Sequence, residues 1–281
     1  MMKPAGSVIW LWLAMLTTTA CSAPQVEVVA VANEGFLIRS ARHAVLVDAL
    51  FEATAPYPEF FQQGPSPALV AMMIAGEEPF FEIDIALVTH RHGDHFRAET
   101  ALAFLQQHPE TLLIGTQSVV DQLTSLEGYQ AIAGRVSAPA RTPGPCVRLD
   151  RRGVEVTVCP AWHSGGSEIA NNIYLVDIDG FRFLHEGDAD RSPATFSALP
   201  LGDGSLDLAF LHDWFVLNDG RAVVTDILRP RAIVLMHHRW TAAAETRDRV
   251  GELPANVASE LPPVTVFGAE LESTIFVPAA R

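Results

Sequence analysis

Thr89-His90-Arg91-His92-Gly93-Asp94-His95 stands directly after an apolar run, Ile83 to Val88. Packing asks for no such cluster of imidazoles and a carboxylate. Their convergence at the end of a strand is what a transition-metal site needs. His90 and His92 are two apart, so in extended chain they face the same way. Gly93 then frees the backbone to turn, and Asp94 and His95 can point elsewhere. One short loop can thus serve two neighbouring metal ions.

Further polar residues stand at other strand ends. His163 follows the apolar run Val154 to Val158. Asp188 lies in His185-Glu186-Gly187-Asp188-Ala189-Asp190, after Phe181 to Leu184. His237 and His238 follow Ala232 to Leu235. Adjacent strand residues point to opposite faces, so one of this pair is expected to serve. The position directly after the strand favours His237. His43, His108 and His185 lack such context and read as ordinary histidines. Leu211-His212-Asp213-Trp214-Phe215 pairs polar groups with large aromatics after another strand. His212 and Trp214 are therefore candidates for substrate contact, against the alternative of a packed Trp and a surface His.

Working outward, Val26–Val31, Phe36–Ile38 and Ala44–Val47 read as an opening meander. Residues 51–82 carry Pro56, Pro58, Pro65, Pro67 and Pro79 around an apolar stretch, Ala68–Ala75, expected to be a short helix. This insertion is a candidate lid or substrate-contact loop, or a helix packed on the core. Arg97–Gln107 reads as a helix. Strand-like runs then outnumber helical ones and fall in two clusters. An α/β fold follows, with two sheets packed together and helices outside.

On these residues the chain resembles the metallo-β-lactamase-fold hydrolase superfamily, over essentially the whole mature chain. His90-x-His92-x-Asp94-His95 matches its signature, and His163, Asp188 and His237 arrive in its order. The resemblance implies a four-layer αββα sandwich. It implies two divalent metals, of which zinc suits the ligands best, though iron and manganese are also compatible. His90, His92 and His163 would hold one metal, and Asp94, His95 and His237 the other. Asp188 would bridge them. It further implies hydrolysis by a hydroxide shared between the metals, with Asp94 as the catalytic residue that orients it and relays a proton. The redox-active di-iron branch has a carboxylate where His92 stands, which argues against oxygen chemistry. The antibiotic-degrading branches have Cys or Ser where Asp188 stands, which argues against a β-lactam substrate. The expected reaction is hydrolysis of a small ester, lactone or phosphodiester. A true β-lactamase and a non-catalytic metal-binding envelope lipoprotein are the alternatives.

The whole chain sets the bounds. Its 281 residues are 49% hydrophobic and 19% charged, enough for a large core. A formal net charge of −14 repels polyphosphate, so nucleic acid is an unexpected partner and a small molecule the expected one. Lys3 and the apolar Val8–Leu16 resemble an export signal over residues 1–20, too short to span a bilayer. Cys21 then reads as the lipidated first residue of a bacterial lipoprotein, although Thr18 departs from the usual Leu. Cleavage to a soluble secreted form is the alternative. Residues 21–281 read as one domain, placed in the periplasm or anchored to the outer membrane. The membrane enters only through that lipid. Cys146 and Cys159 flank a hairpin turning near Arg152-Gly153, and either form a disulfide or remain free thiols.

Overall fold

The computed structural model describes residues 25–52, 64–165, 168–202 and 206–279. The expected signal segment, Cys21, positions 53–63 of the Pro-rich insertion and Gly166 lie outside the described residues.

Uninterrupted apolar runs mark strands buried on both faces. β1 (Val26–Ala30), β2 (Phe36–Arg39) and β3 (Ala44–Val47) form the meander. β4 (Ile85–Leu87), β5 (Leu112–Ile114) and β6 (Val136–Ser137) extend it in parallel. The second sheet opens on the antiparallel β7 (Val147–Arg151), β8 (Val154–Trp162), β9 (Ala170–Ile178) and β10 (Phe181–His185). It continues in parallel through β11 (Leu208–His212), β12 (Ile233–Met236) and β13 (Val264–Val266). β14 (Ser273–Phe276) returns to pair with β1. Each sheet has seven strands and the same plan, antiparallel first and parallel after.

Phe36, Tyr174, Phe183 and Phe210 pack in the core between the sheets, with Phe36 and Phe210 ring centroids 4.6 Å apart. α1 (Pro67–Ala75), α2 (Ala98–Gln107) and α3 (Gln117–Thr124) cover the outer face of the first sheet. α4 (Pro193–Ser197), α5 (Trp214–Leu217), a π-helical segment Val223–Leu228 and α6 (Ala243–Gly251) cover that of the second. The result is the four-layer αββα sandwich. Met73 of α1 is fully buried among these outer core residues, so this part of the Pro-rich insertion packs on the core. Among the described residues no helix is long and apolar enough to cross a membrane.

Two details tie the sheets together at one end. The Tyr174 hydroxyl, on β9, lies 2.8 Å from the Val88 carbonyl and 3.0 Å from that of Ile114, at the ends of β4 and β5. Burial, the largest influence, pushes its pKa up, so it stays a neutral donor. The Asn172 N–H donates to the Thr89 carbonyl at 2.9 Å. At the far edge, β7 and β8 pair with Val147 opposite Val158, and Cys146 and Cys159 are disulfide-bonded.

Candidate metal centre

The parallel strands of both sheets release their carboxyl ends at the same place, where open α/β sheets bind ligands. β3 delivers Asp48, β4 the loop from Thr89, β10 the Glu186–Asp188 turn, β11 His212 and β12 His237. His163 follows β8 and is bridged to Ala189.

The Thr89–His95 loop is fixed from beneath by Asp48. Its Oδ1 accepts the Thr89 N–H at 2.7 Å and its Oδ2 the Thr89 hydroxyl at 2.6 Å. The same Oδ2 lies 2.8 Å from His95 Nδ1. A turn follows, with the N–H groups of His95 and Phe96 both donating to the His92 carbonyl. His90 and His92 share one side, with His90 Nε2 2.9 Å from His92 Nδ1. The His163 ring centroid lies 4.9 Å from that of His90 and 4.7 Å from that of His92.

Asp188 occupies the middle. Its Oδ2 is 3.1 Å from His163 Nε2 and 3.4 Å from His237 Nε2, while its Oδ1 is 3.4 Å from His95 Nε2. Its N–H donates to Asn171 Oδ1. Gly187 before it has φ +57°, and an added Cβ would lie 2.5 Å from Asn171 Oδ1 and 2.6 Å from Thr89 Cβ. Only glycine fits that turn. His237 has φ +59°, a strained value for a non-glycine residue that carries its imidazole over the cavity. Its N–H donates to the Asn33 carbonyl.

Among the described residues three groups of ligand atoms result, each within 4.8 Å: His90, His92, His163 and Asp188; Glu34, Asp94, His95 and His237; and Asp188, His212 and His237. All seven sequence candidates are brought together. His212 joins them, its ring stacked on His237 at 4.6 Å and its Nε2 3.5 Å from Asp188 Oδ1. It is part of the centre rather than of a loop above it. Trp214 is not brought in. It packs on Phe215 and over Gly220, with the Arg191 guanidinium 5.5 Å from its ring. His238 turns away to donate to the Phe267 carbonyl at 2.8 Å.

Sequence reasoning missed three acids. Glu34, in the β1–β2 turn, is fully buried against His95 and His237. Asp48 read only as the end of a strand. Glu186 accepts both the N–H and, at 2.9 Å, the Nδ1–H of His212. The available signal was the charge itself, isolated among apolar strand residues, as in Asn33-Glu34-Gly35. His185 was read as ordinary. It is buried beneath the centre, donating from Nε2 to the Glu34 carbonyl, and burial lowers its pKa to about 4.

The residues fit metal ions. His163 Nδ1 donates to the Ser164 carbonyl at 2.7 Å, which leaves its Nε2 lone pair facing the Asp188 carboxylate. His95 is held the same way by Asp48, and its Nε2 faces Glu34 Oε2 at 2.9 Å. With both rings neutral, as metal ligands are, acceptor faces acceptor in both places. His95 Nε2, Glu34 Oε2 and Asp188 Oδ1 are buried with no hydrogen-bond partner. Such an arrangement calls for cations.

Without metal the histidines diverge. Burial, then the neighbouring His95, holds His90 well below the ordinary imidazole value, so it is a neutral ligand. Burial also opposes charge on His95, but Glu34, Asp188 and Asp48 outweigh it and raise its pKa well above that value. Desolvation likewise opposes charge on His237, and again Glu34 and Asp188 prevail. Asp188 is buried, yet His237 and His95 keep it ionised far below the usual carboxylate range. A cavity of about 340 Å³ opens above, with His92, Asp94, His163, Asp188, His237 and Arg239 among its lining residues.

Residues 43–241 match the Beta-lactamase superfamily domain. The chain is 28% identical over 202 residues to a UPF0173 metal-dependent hydrolase of Thermococcus kodakarensis, covering 68% of this chain and 82% of that one. Its fold is similar to that of Igni18, a metallo hydrolase from Ignicoccus hospitalis, with a TM-score of 0.59, 17% identity and coverage of 90% and 98%. It is also similar to CmlA, a diiron beta-hydroxylase from Streptomyces venezuelae, with a TM-score of 0.57, 14% identity and coverage of 91% and 54%. The fold alone thus houses more than one chemistry, and the sequence relatives are the ones named for hydrolysis. The chain belongs to the beta-lactamase superfamily and is a metal-dependent hydrolase of the metallo-β-lactamase fold.

Proposed function

We propose that this chain is an exported dinuclear hydrolase of small esters, lactones or phosphodiesters. The observation that carries the reading is the place of Asp188, whose Oδ2 lies near both His163 and His237 and whose Oδ1 faces His95, so that its carboxylate meets ligands of both groups. A carboxylate so placed would be shared by two cations, for which zinc suits this ligand set best. When bound, the ions lower the pKa of a water between them toward neutrality and polarise the substrate oxygen.

The chain's own groups do the rest. Asp94 is buried and lines the cavity beside His95 and His237. Its carboxylate orients the attacking water and relays a proton to the leaving group. The cavity volume of about 340 Å³ suits a small substrate. His212 is held by Glu186, with its Nε2 3.5 Å from Asp188 Oδ1. Imidazole at position 92 favours hydrolysis over oxygen chemistry. Asp188, where the antibiotic-degrading branches carry Cys or Ser, favours a substrate other than a β-lactam.

Export is supported by the signal-like segment 1–20 and by the Cys146–Cys159 disulfide, which persists in oxidising compartments. Cys21 is the proposed lipid-bearing residue. Palmitate labelling that survives Cys21→Ser would overturn that part.

The reaction is tested by assaying zinc-loaded protein on chromogenic esters, lactones, phosphodiesters and cephalosporins. Turnover of one of the first three, and little of the cephalosporin, is expected. Cephalosporin as the best substrate would refute the substrate class. Full turnover after exhaustive chelation would refute the metal mechanism.

A further inference from the structure

Glu34 reaches the centre from the turn between β1 and β2 of the opening meander. Its turn is built tightly. The His185 imidazole donates to the Glu34 carbonyl at 3.1 Å, and the His237 N–H donates to the Asn33 carbonyl at 2.9 Å. A Cβ on Gly35 would lie 2.7 Å from the Asp48 carbonyl oxygen, so the turn can approach this closely only with glycine there. Asn33 Nδ2 donates to Glu34 Oε1 at 2.6 Å and aims the carboxylate. The side chain is fully buried.

Oε1 lies 3.2 Å from His237 Nε2 and Oε2 lies 2.9 Å from His95 Nε2. Oε2 and His95 Nε2 have no hydrogen-bond partner. His95 Nδ1 is engaged by Asp48, so in the neutral ring the Nε2 lone pair confronts the Glu34 lone pairs. With His95 and His237 as neutral ligands, an ionised Glu34 would be buried without a counter-charge, which is costly. A cation shared with Asp94, His95 and His237, which lie within the same 4.8 Å, removes the conflict.

We propose that Glu34 is a ligand of the second metal ion, and that it makes the two positions chemically unequal. This rests on the two-ion reading above. The first position offers three imidazoles and Asp188. The second offers Glu34 and Asp94 beside two imidazoles, and shares Asp188. Nitrogen-rich sites suit zinc, whereas added carboxylates suit harder ions such as manganese(II). Zinc remains the stronger binder at either position by the general metal order. Glu34 narrows that preference at the second one, so that manganese(II) or iron(II) is held there beside zinc.

The test begins with apo protein given one equivalent of zinc and then titrated with manganese(II), followed by electron paramagnetic resonance. The wild type takes up one manganese. Glu34→Gln keeps the size and the Asn33 neighbour, and weakens manganese at least tenfold while weakening a second zinc by less. Equal manganese affinity in the two proteins, or equal losses of both metals, overturns the proposal. A wild type that accepts no second ion of either kind refutes the two-ion reading itself. Should Glu34→Gln not fold, manganese-edge X-ray absorption on the wild type decides. A shell of oxygens with at most two imidazoles supports Glu34, and three imidazoles overturn it.

Discussion

His90, His92 and His163 form one half of the centre together with Asp188, whereas His95 and His237 stand among Glu34, Asp94 and Asp188. The first half is short of negative charge and keeps His90 neutral. The second has an excess and, without metal, draws protons onto His95 and His237. The two halves are close enough to share a ligand, yet they present opposite electrostatics to an incoming cation. One is a preformed set of lone pairs. The other must exchange protons for metal.

The largest expected effect comes from removing a ligand of either half. His92→Ala and Asp94→Ala should each lower kcat/KM by about a thousandfold or more, the scale of losing a group that stabilises the transition state. Metal analysis should find about one ion fewer in each. If both variants keep two ions, the division into halves fails.

Asp48→Asn comes next. It leaves the ring of His95 without the carboxylate that fixes its tautomer, and disturbs Thr89 as well. Metal affinity at the second position should fall roughly 10- to 100-fold, the usual cost of such a partner. Competition with a fluorescent chelator reads it, and a larger loss at the His90 position would contradict the assignment.

The pH dependence separates the halves more finely. His95 has a folded pKa above the ordinary imidazole value of about 6.5, so its proton competes with metal even above that pH. His90 has a depressed pKa and competes only below it. Between about pH 6.5 and 8, affinity at the second position should rise with pH by up to about tenfold per unit for each proton released. The first position should be nearly flat, and equal slopes in a calorimetric titration would break the comparison. Smallest is Glu186→Gln, which keeps an acceptor for His212 and removes a buried charge. It should change kcat severalfold, with metal content unchanged by elemental analysis.

The strand runs were legible because burial on both faces leaves continuous apolar stretches, as in Ala44–Val47 and Ile233–Met236. The Thr89–His95 loop was legible because imidazoles so close in sequence have no packing explanation. Glu34 was not, because its meaning depends on β1 to β3 pairing onto β4, which carries a turn distant in sequence to the loop. Alternation left room for one of His237 and His238, and position directly after the strand favoured His237; the structure separates them by a positive φ at His237, which no residue pattern announces. His212 was read as covering the site, since the register that makes it the last residue of β11 cannot be seen from its neighbours. Trp214 fell on the outer side of the same turn.

The two larger groups of ligands each draw on both sheets. His90 and His92 come from the first and His163 and Asp188 from the second, while Glu34, Asp94 and His95 face His237 across the same seam. A bound ion therefore staples two half-molecules, neither of which holds a complete set alone. An unfolded or half-folded chain has no address for the metal, so loading reports that the sheets have closed.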